Sequence, residues 1–187
     1  MILLFSSTVE QPVQRLQVVL ERLKRESLKA KLSKCFFLRK EVHYLDHVIS
    51  ADGVSTDPGK IEVVANWPSP TTASKLRSFL GFTSYYRRFV ERFGKLAAPL
   101  YRAVAECAGT KSHKKMDQRL SRCWTDECNQ SFETLKAKLT TAPVLAYANF
   151  TPPFVLEVGA SYGGLGAVLS QAQAGMVRPI AYASRGL

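Results

Sequence analysis

The feature that most constrains the fold is a set of three apolar runs of strand length near the end of the sequence. They read "PFVLEV", "GLGAVLS" and "RPIAYAS", and short connections separate them. Runs of this length joined by tight turns predict a meander of three strands. The first run leads into Gly159 where we expect the strand to end. A strand end that opens onto a turn is a common position for a catalytic carboxylate, and Gly159 has no side chain.

Apolar residues that recur every three or four positions predict the main helices. The first helix extends from about Glu10 to Ser27, and we expect its apolar face to lie in a core. The longest helical pattern covers residues 71–93, with one face formed by Leu76, Phe79, Leu80, Thr83, Tyr86 and Val90. Asp57 and Pro58 predict the start of a short helix, and Thr125 predicts the cap of another, whose inward residues are Cys128, Phe132, Leu135 and Leu139.

A second row of the longest helix contains Arg77, Gly81 and Tyr85, spaced by about one helical turn. Glycine in mid-helix costs about 1 kcal/mol relative to alanine, so one interpretation is that another molecule approaches the backbone there. Arginine and tyrosine on either side suit the groove of a nucleic-acid duplex. The alternative is that Gly81 allows close helix packing in a core and that Tyr85 fills space as an amphipathic side chain.

The remaining segments predict short strands and a loop. Ile2–Ser6 is a continuous apolar run, which predicts a strand buried on both faces. Cys35–Leu38 and Val42–Ile49 predict a small antiparallel ribbon. Residues 142–145 predict an edge strand. Residues 103–122 show no clear pattern, and within them "GTKSHKKMDQ" is polar and basic with weak periodicity, so we expect a mobile loop there.

The charge of the chain is distributed unevenly. Residues 1–115 contain 20 Lys and Arg against 10 Asp and Glu, whereas residues 116–187 contain 6 against 5. A concentrated positive field favours a polyanionic partner, most often nucleic acid, although a solvated basic face is the alternative.

Cysteine and histidine patterns argue against a metal site. The four cysteines are irregularly spaced, which indicates neither a zinc ribbon nor a disulfide framework. His43 and His47 on one strand would be about 13 Å apart, too far to share one ion. No run is long enough to cross a membrane. We therefore expect reduced thiols, no membrane partner and an intracellular protein, either cytoplasmic or nuclear.

The order of several motifs is similar to one known family. The segments "LRKEVHYLDHVISADGVSTDPGKIEVVANWPSPTTASKLRSFLGFTSYYRRFV", "WTDECNQSFETLKAKLTTAPVLAYANFTPPFVLEVGAS", "GLGAVLSQ" and "RPIAYASRGL" closely resemble the pol polyprotein of gypsy-type long-terminal-repeat retroelements. The resemblance implies an α+β fold: the end of a reverse transcriptase palm and a helical thumb, followed by an incomplete ribonuclease H-like sheet. The implied domains are the palm end with a primer-grip ribbon (1–50), the thumb (51–103), the basic loop (104–122), a connecting helix and strand (123–150), and a truncated ribonuclease H-like domain (151–187).

The resemblance also implies nucleic-acid-binding residues. Tyr44, Leu45, Asp46 and His47 are similar to the primer grip, where the family usually has Phe-Leu-Gly-His. Aspartate in place of this glycine adds a negative side chain near a phosphate backbone and can strain a turn, so we expect weaker primer binding. Arg77, Gly81 and Tyr85 match the thumb helix that tracks the minor groove of the template–primer duplex.

The residues that carry catalysis in the resembled family have no counterpart in this sequence. The family has Thr-Asp-Ala-Ser where this chain has Val158-Gly159-Ala160-Ser161, and that aspartate is the first magnesium ligand of ribonuclease H. We expect no substitution by Glu157, which is about 7 Å away along the strand. The Tyr-x-Asp-Asp polymerase motif would precede Met1, and the other carboxylates of the hydrolase would follow Leu187. The expectation is therefore no catalytic residue and no bound metal, although the parent family uses magnesium.

Three functional hypotheses remain from the sequence. The first is a fragment of a retroelement reverse transcriptase and ribonuclease H that is catalytically inactive alone. The second is a host-retained, non-catalytic module that binds nucleic acid, and the third is an expressed pseudogene product without a selected role. The expected partners are an RNA–DNA hybrid or duplex, together with the missing palm, fingers and ribonuclease H segments.

Overall fold

The chain forms a mixed helix and sheet structure in two separate units. The computed structural model describes residues 2–4, 10–109 and 119–186. Residues 1–39 form unit 1, and residues 40–187 form unit 2. The strands that follow residue 40 pack with the helices of unit 2. No described helix has the length and apolar character needed to span a bilayer.

Unit 1 contains one long helix, α1 (Glu10–Arg25), as predicted. The helix ends where Ser27 adopts a left-handed conformation and the Leu28 N–H donates to the Leu23 carbonyl at 2.8 Å. This bond pattern closes a helix and turns the chain away. The prediction of a core face is wrong for two of its residues, because Val13 is 63% exposed and Leu20 is 48% exposed.

Two strands predicted for unit 1 are absent from its described residues. Residues 2–4 form no strand, and the rest of the predicted strand Ile2–Ser6 lies outside the described residues. The predicted strand Cys35–Leu38 is an exposed segment that follows a short 3-10 helix at Leu32–Lys34. A strand needs hydrogen-bonding neighbours, and no described residue pairs with either segment.

Unit 2 begins with a small antiparallel sheet. Its strands are β1 (Val42–Tyr44), β2 (His47–Ser50) and β3 (Gly53–Thr56), in the order β1-β2-β3. The prediction of one continuous strand over Val42–Ile49 is wrong, because the chain reverses between β1 and β2. The short helix α2 (Pro58–Ala65) follows, and the Asp57 side chain caps it by accepting hydrogen bonds from the Gly59 and Lys60 N–H groups, as predicted.

Three longer helices form the core of unit 2: α3 (Ala73–Tyr85), α4 (Phe93–Gly109) and α5 (Asp126–Thr140). The long helix predicted over residues 71–93 is divided, because the backbone leaves the helix after Tyr85 and forms a short 3-10 helix at Arg87–Phe89. All six predicted core residues of that pattern are nevertheless buried. The cap of α5 and its four inward residues are confirmed, and Phe79 packs against Phe132 with ring centroids 4.4 Å apart.

The loop predicted over residues 104–122 is wrong at both of its ends. Helix α4 continues to Gly109, and its Cys107 is buried, which raises the pKa of that thiol to about 11. A 3-10 helix forms at Leu120–Arg122. Its Leu120 side chain is buried, and the Leu120 N–H donates a hydrogen bond to the Thr71 carbonyl. Residues 110–118 lie outside the described residues.

The predicted three-stranded meander is confirmed at the end of unit 2. It consists of β4 (Val155–Ser161), β5 (Gly164–Gln173) and β6 (Met176–Gly186), all antiparallel, in the order β4-β5-β6. The edge strand predicted for residues 142–145 is reduced to one bridge between Leu145 and Val54.

Hydrogen bonds join this sheet to the helices. The Arg87 side chain donates to the Ser184 carbonyl at 2.6 Å, and the Gly94 N–H donates to the Ser184 hydroxyl at 2.7 Å. Strand β6 therefore lies against the start of α4.

The connection between α5 and β4, together with strand β6, also contacts the turn between β2 and β3. The Tyr147 hydroxyl donates to the carbonyls of Ser50 and Gly53, and Arg178 on β6 donates to the Asp52 carbonyl. Burial raises the pKa of the Tyr147 hydroxyl. The first sheet is thus held from two sides, by the helices and by the second sheet.

Candidate nucleic-acid interface

One face of α3 is exposed along its length. Arg77, Gly81 and Tyr85 lie on this face at intervals of one turn, and each is exposed. The opposite face is formed by Leu76, Phe79, Leu80 and Thr83, which are all buried. The helix thus presents an arginine, a gap and a tyrosine in a row to the solvent.

The gap at Gly81 is open space. A Cβ atom built on Gly81 would have no described atom within 4 Å. The alternative that this glycine permits close helix packing is therefore wrong for the part of the chain that the structure describes. Glycine weakens a helix by about 1 kcal/mol relative to alanine. No contact within the described chain explains why Gly81 is present despite this cost.

The turn of the β1–β2 hairpin lies beside this helix. Leu45 and Asp46 form the turn, with φ values of 48° and 58°. Positive φ at both central residues is the signature of a type I′ hairpin turn, and aspartate is one of the residues that tolerate it. Tyr44 and His47 flank the turn and pair with each other across the hairpin.

Two tyrosine hydroxyls of the α3 region hold this turn. Tyr85 donates to the Leu45 carbonyl at 2.6 Å, and Tyr86 donates to the Asp46 carbonyl at 2.9 Å. Burial of Tyr86 raises the pKa of its hydroxyl still further above neutral pH. The hairpin and the exposed row of α3 therefore form one continuous surface, which we call the α3–hairpin surface.

The His47 side chain supports the hairpin from inside this surface. Its ring lies 5.3 Å from that of Tyr85, 5.6 Å from that of Tyr86 and 5.5 Å from that of Phe89, measured between centroids. Its Nδ1 atom is 2.6 Å from the Leu45 carbonyl oxygen. His47 thus fills the space between the hairpin and the helix, and Tyr85 and Asp46 lie nearer the solvent.

Charged groups surround the hairpin. The Asp46 carboxylate is 3.4 Å from the Lys60 ammonium, and both side chains are about half exposed. His43 Nδ1 is 2.6 Å from Asp57 Oδ2, and this hydrogen bond lowers the pKa of Asp57 while desolvation opposes it. Sequence reasoning missed Lys60, Asp57 and Tyr86 as neighbours of the turn, because their partners lie far away in sequence. Within the described residues, no cluster of three or more His, Cys, Asp or Glu could hold a metal ion.

Gly159 lies in the middle of β4 rather than at its end. It pairs with Gly166 on β5, and a Cβ atom built on it would have no described atom within 4 Å. An open groove of about 420 Å³ runs over this position, lined in part by Glu91, Arg92 and Lys95 from the α4 side and by Glu157. The described residues do not fit a magnesium site of the ribonuclease H kind, because glycine offers no oxygen ligand and no cluster of three or more His, Cys, Asp or Glu lies among them.

Comparison with protein families identifies the C-terminal part of the chain. Residues 124–187 match the family described as an RNase H-like domain found in reverse transcriptase. This range includes α5 and the whole β4–β6 sheet.

Curated relatives match the rest of the chain as well. It is 37% identical over 187 residues to the retrovirus-related Pol polyprotein from transposon opus of Drosophila melanogaster, covering all of this chain and 18% of that protein. The corresponding polyprotein from transposon 297 is 35% identical, and the chain spans 16% of its length. An uncharacterized mitochondrial protein of Arabidopsis thaliana is 39% identical over 146 residues, which are 77% of this chain and 84% of that protein.

Solved structures show the same fold. The foamy viral protease-reverse transcriptase in complex with an RNA/DNA hybrid has a TM-score of 0.76 and 26% identity, over 98% of this chain and 23% of that one. Its complex with dsDNA has a TM-score of 0.76 and 27% identity, over 98% of this chain and 36% of that one. The chain is thus similar over its whole length to retrovirus-related Pol polyproteins of transposons, and its residues 124–187 match the RNase H-like domain found in reverse transcriptase.

Proposed function

We propose that this Pol segment binds an RNA–DNA hybrid or duplex along the α3–hairpin surface, with α3 as a thumb helix and the hairpin as a primer grip. The observation that carries the proposal is the open space over Gly81, with Arg77 and Tyr85 one turn away on either side. A guanidinium can bind a phosphate, a tyrosine can pack on a ribose, and glycine lets the duplex approach the helix backbone. The solved relatives with bound hybrid and dsDNA support this proposal.

The hairpin contributes a pre-formed edge to this surface. The Tyr85 hydroxyl already bonds to Leu45, so the ring is held in place before any ligand arrives. Asp46 places a carboxylate at the tip, and its ion pair with Lys60 offsets part of this negative charge. We therefore expect Asp46 to weaken binding of the phosphate backbone, but less than an unpaired carboxylate would.

The proposal includes no hydrolysis at Gly159. Glycine supplies no ligand for a metal ion, and Glu157 is about 7 Å away along the strand. The segment therefore binds a hybrid without cleaving it. This binding activity would equally suit a host-retained module, the alternative raised from the sequence.

The first test is the variant Gly81→Leu, which separates folding from binding. Leucine has room at this position in the free protein and favours a helix, so we expect the free energy of unfolding to rise by about 0.5–1 kcal/mol. The same side chain would occupy the space proposed for the duplex, so we expect the affinity for a labelled RNA–DNA hybrid to fall about tenfold or more. Wild-type affinity in this more stable variant would refute the assignment of the surface.

A charge-reversal pair gives the second test. Arg77→Glu should lower hybrid affinity about tenfold and reduce the salt dependence of binding, because it replaces one phosphate contact with a repulsive charge. Lys138→Glu is the matched control, because Lys138 is also exposed but lies on α5. Equal losses in the two variants would mean that net charge alone determines binding. Magnesium-dependent cleavage of the hybrid by the nuclease-free protein would contradict the interpretation of Gly159.

A further inference from the structure

Unit 1 contains a concentration of cationic residues that are not part of the α3–hairpin surface. Residues 22–39, which we call the basic segment, contain seven Lys and Arg residues and one acidic residue, in a chain whose net charge is +11. All seven cationic side chains are exposed. Arg25 pairs with Glu26 at 3.0 Å, and within the described residues the other six have no acidic partner. These six are Arg22, Lys24, Lys29, Lys31, Lys34 and Arg39.

Part of this charge has a local explanation. Arg22, Lys24 and Arg25 lie in the last turn of α1, where cations stabilise the helix by interacting with its dipole. The three lysines at positions 29, 31 and 34 lie beyond the helix, as does Arg39, so the dipole does not account for them. Their side chains reach solvent from a segment with little regular structure.

Two exposed aromatic rings lie among these cations. Phe36 is 71% exposed and Phe37 is 51% exposed, between Lys34 and Arg39. The described residues leave much of both rings uncovered, so a ligand that covers them would gain by burying apolar surface. A single-stranded nucleic acid is complementary to both features, since its phosphates match the cations and its unpaired bases can stack on the rings. A duplex lacks free base faces and would leave the rings uncovered.

We propose that the basic segment is a second nucleic-acid site, which binds single-stranded DNA or RNA through phosphate contacts and stacking on Phe36 and Phe37. The basic segment belongs to unit 1 and the α3–hairpin surface to unit 2, and the proposed binding to the basic segment does not depend on hybrid binding to the other surface. A protein with both sites can hold a duplex on one unit and an unpaired strand on the other.

The test measures binding of the full chain to a labelled oligothymidylate. With four to six phosphate contacts, the slope of log K against log salt should be about −3 to −4 for a single strand. The variant Phe36→Ala/Phe37→Ala should lower affinity about 30-fold or more, because stacking on two rings is lost. Phe150→Ala/Phe154→Ala is the matched control, since this ring pair is also exposed but lies in a segment with few cations. Equal affinities for the two double variants would overturn the proposal.

Charge-reversal variants distinguish binding at a local site from general electrostatic attraction to the net positive chain. Lys31→Glu/Lys34→Glu and Arg122→Glu/Lys138→Glu lower the net charge by the same amount, and all four residues are exposed. Only the first pair should reduce oligothymidylate binding, by about tenfold or more. Arg77→Glu should leave it unchanged, which distinguishes failure here from failure of the hybrid-binding proposal. Equal losses in both pairs, or binding to phosphatidylserine vesicles but not to the oligonucleotide, would overturn the assignment.

Discussion

The hairpin turn at Leu45–Asp46 and the strand β4 are both exposed, but they differ in what contacts them. The turn accepts hydrogen bonds from two tyrosine hydroxyls, and its aspartate forms an ion pair with Lys60. Strand β4 is exposed at every position, and its described backbone pairs with β5 alone. Val158 is 68% exposed and Leu156 is 63% exposed.

Exposed residues of this chain therefore occur in two different structural settings. Around the hairpin, exposed groups are positioned by buried ones, which is the arrangement of a pre-formed binding surface. Along β4, apolar side chains have no cover in the described residues, and Gly159 has no side chain to position. The organised region is the one to which we assign binding, and we propose no chemistry for the uncovered region.

The largest expected effect tests whether the helical core determines stability while β4 contributes little. Phe79→Ala removes a fully buried ring that packs against Phe132, so we expect a loss of about 3–5 kcal/mol in the free energy of unfolding. Val158→Ala on β4 should cost less than about 0.5 kcal/mol. Urea unfolding measures both values. A similar cost for the two variants would show that β4 is covered in solution and would break the comparison.

Two glycines provide the next test, because they have opposite surroundings. A Cβ atom at Gly53 would lie 2.1 Å from the Leu145 carbonyl oxygen, and its φ of 137° disfavours any side chain. Gly53→Ala should therefore disrupt the pairing of Val54 with Leu145 and destabilise the protein by at least about 2 kcal/mol, which lowers the melting temperature by roughly 4–8 °C.

Gly159→Ala is the matched control for this substitution. The added methyl group meets no described atom, so the melting temperature should stay the same or rise by about 2 °C. A marked fall would mean that another part of the protein packs against the middle of β4, and the contrast with the hairpin side would need revision.

The smallest effect concerns the pH dependence of the hairpin side. The hydrogen bond from His43 lowers the pKa of Asp57 below its usual value of about 4. A lowered pKa means that the carboxylate stabilises the fold fully above the unfolded-state pKa, and that this stabilisation is lost as the pH falls through the folded-state pKa.

Asp57→Asn keeps the oxygen that caps α2 but removes the titrating group. Its stability deficit relative to the natural sequence should be about 1 kcal/mol or less at pH 7 and should shrink as the pH is lowered from about 5 to 2. Urea unfolding at several pH values measures this difference. A deficit that stays constant over this range would show that the His43 contact contributes nothing through the carboxylate.

Local signals in the sequence predicted much of the fold. The cap at Thr125 and the spacing of Cys128, Phe132, Leu135 and Leu139 identify α5 from neighbouring residues alone. Asp57 and Pro58 identify the start of α2 for the same reason. The exposed row of α3 also follows from helical periodicity, because every residue needed for it lies within three turns.

The errors arise where distant residues determine the backbone. The Leu45–Asp46 turn contains no glycine or asparagine and is held by tyrosines 40 positions away, so no local pattern indicates it. Residues 104–109 have weak periodicity, yet they continue α4 because Cys107 is buried. Conversely, Cys35–Leu38 has the composition of a strand but no described partner, and composition alone does not create one.

The two hydrogen bonds that meet at the Leu45 carbonyl determine where two protons lie. A carbonyl oxygen can only accept, so both the Tyr85 hydroxyl and His47 Nδ1 must donate to it. The neutral imidazole is therefore the Nδ1–H tautomer, and its lone pair is on Nε2, which is buried without a hydrogen-bond partner in the described chain. The geometry of a two-residue turn thus selects the tautomer of a side chain beside it, and the nitrogen chemical shifts of His47 would report directly whether the hairpin is closed.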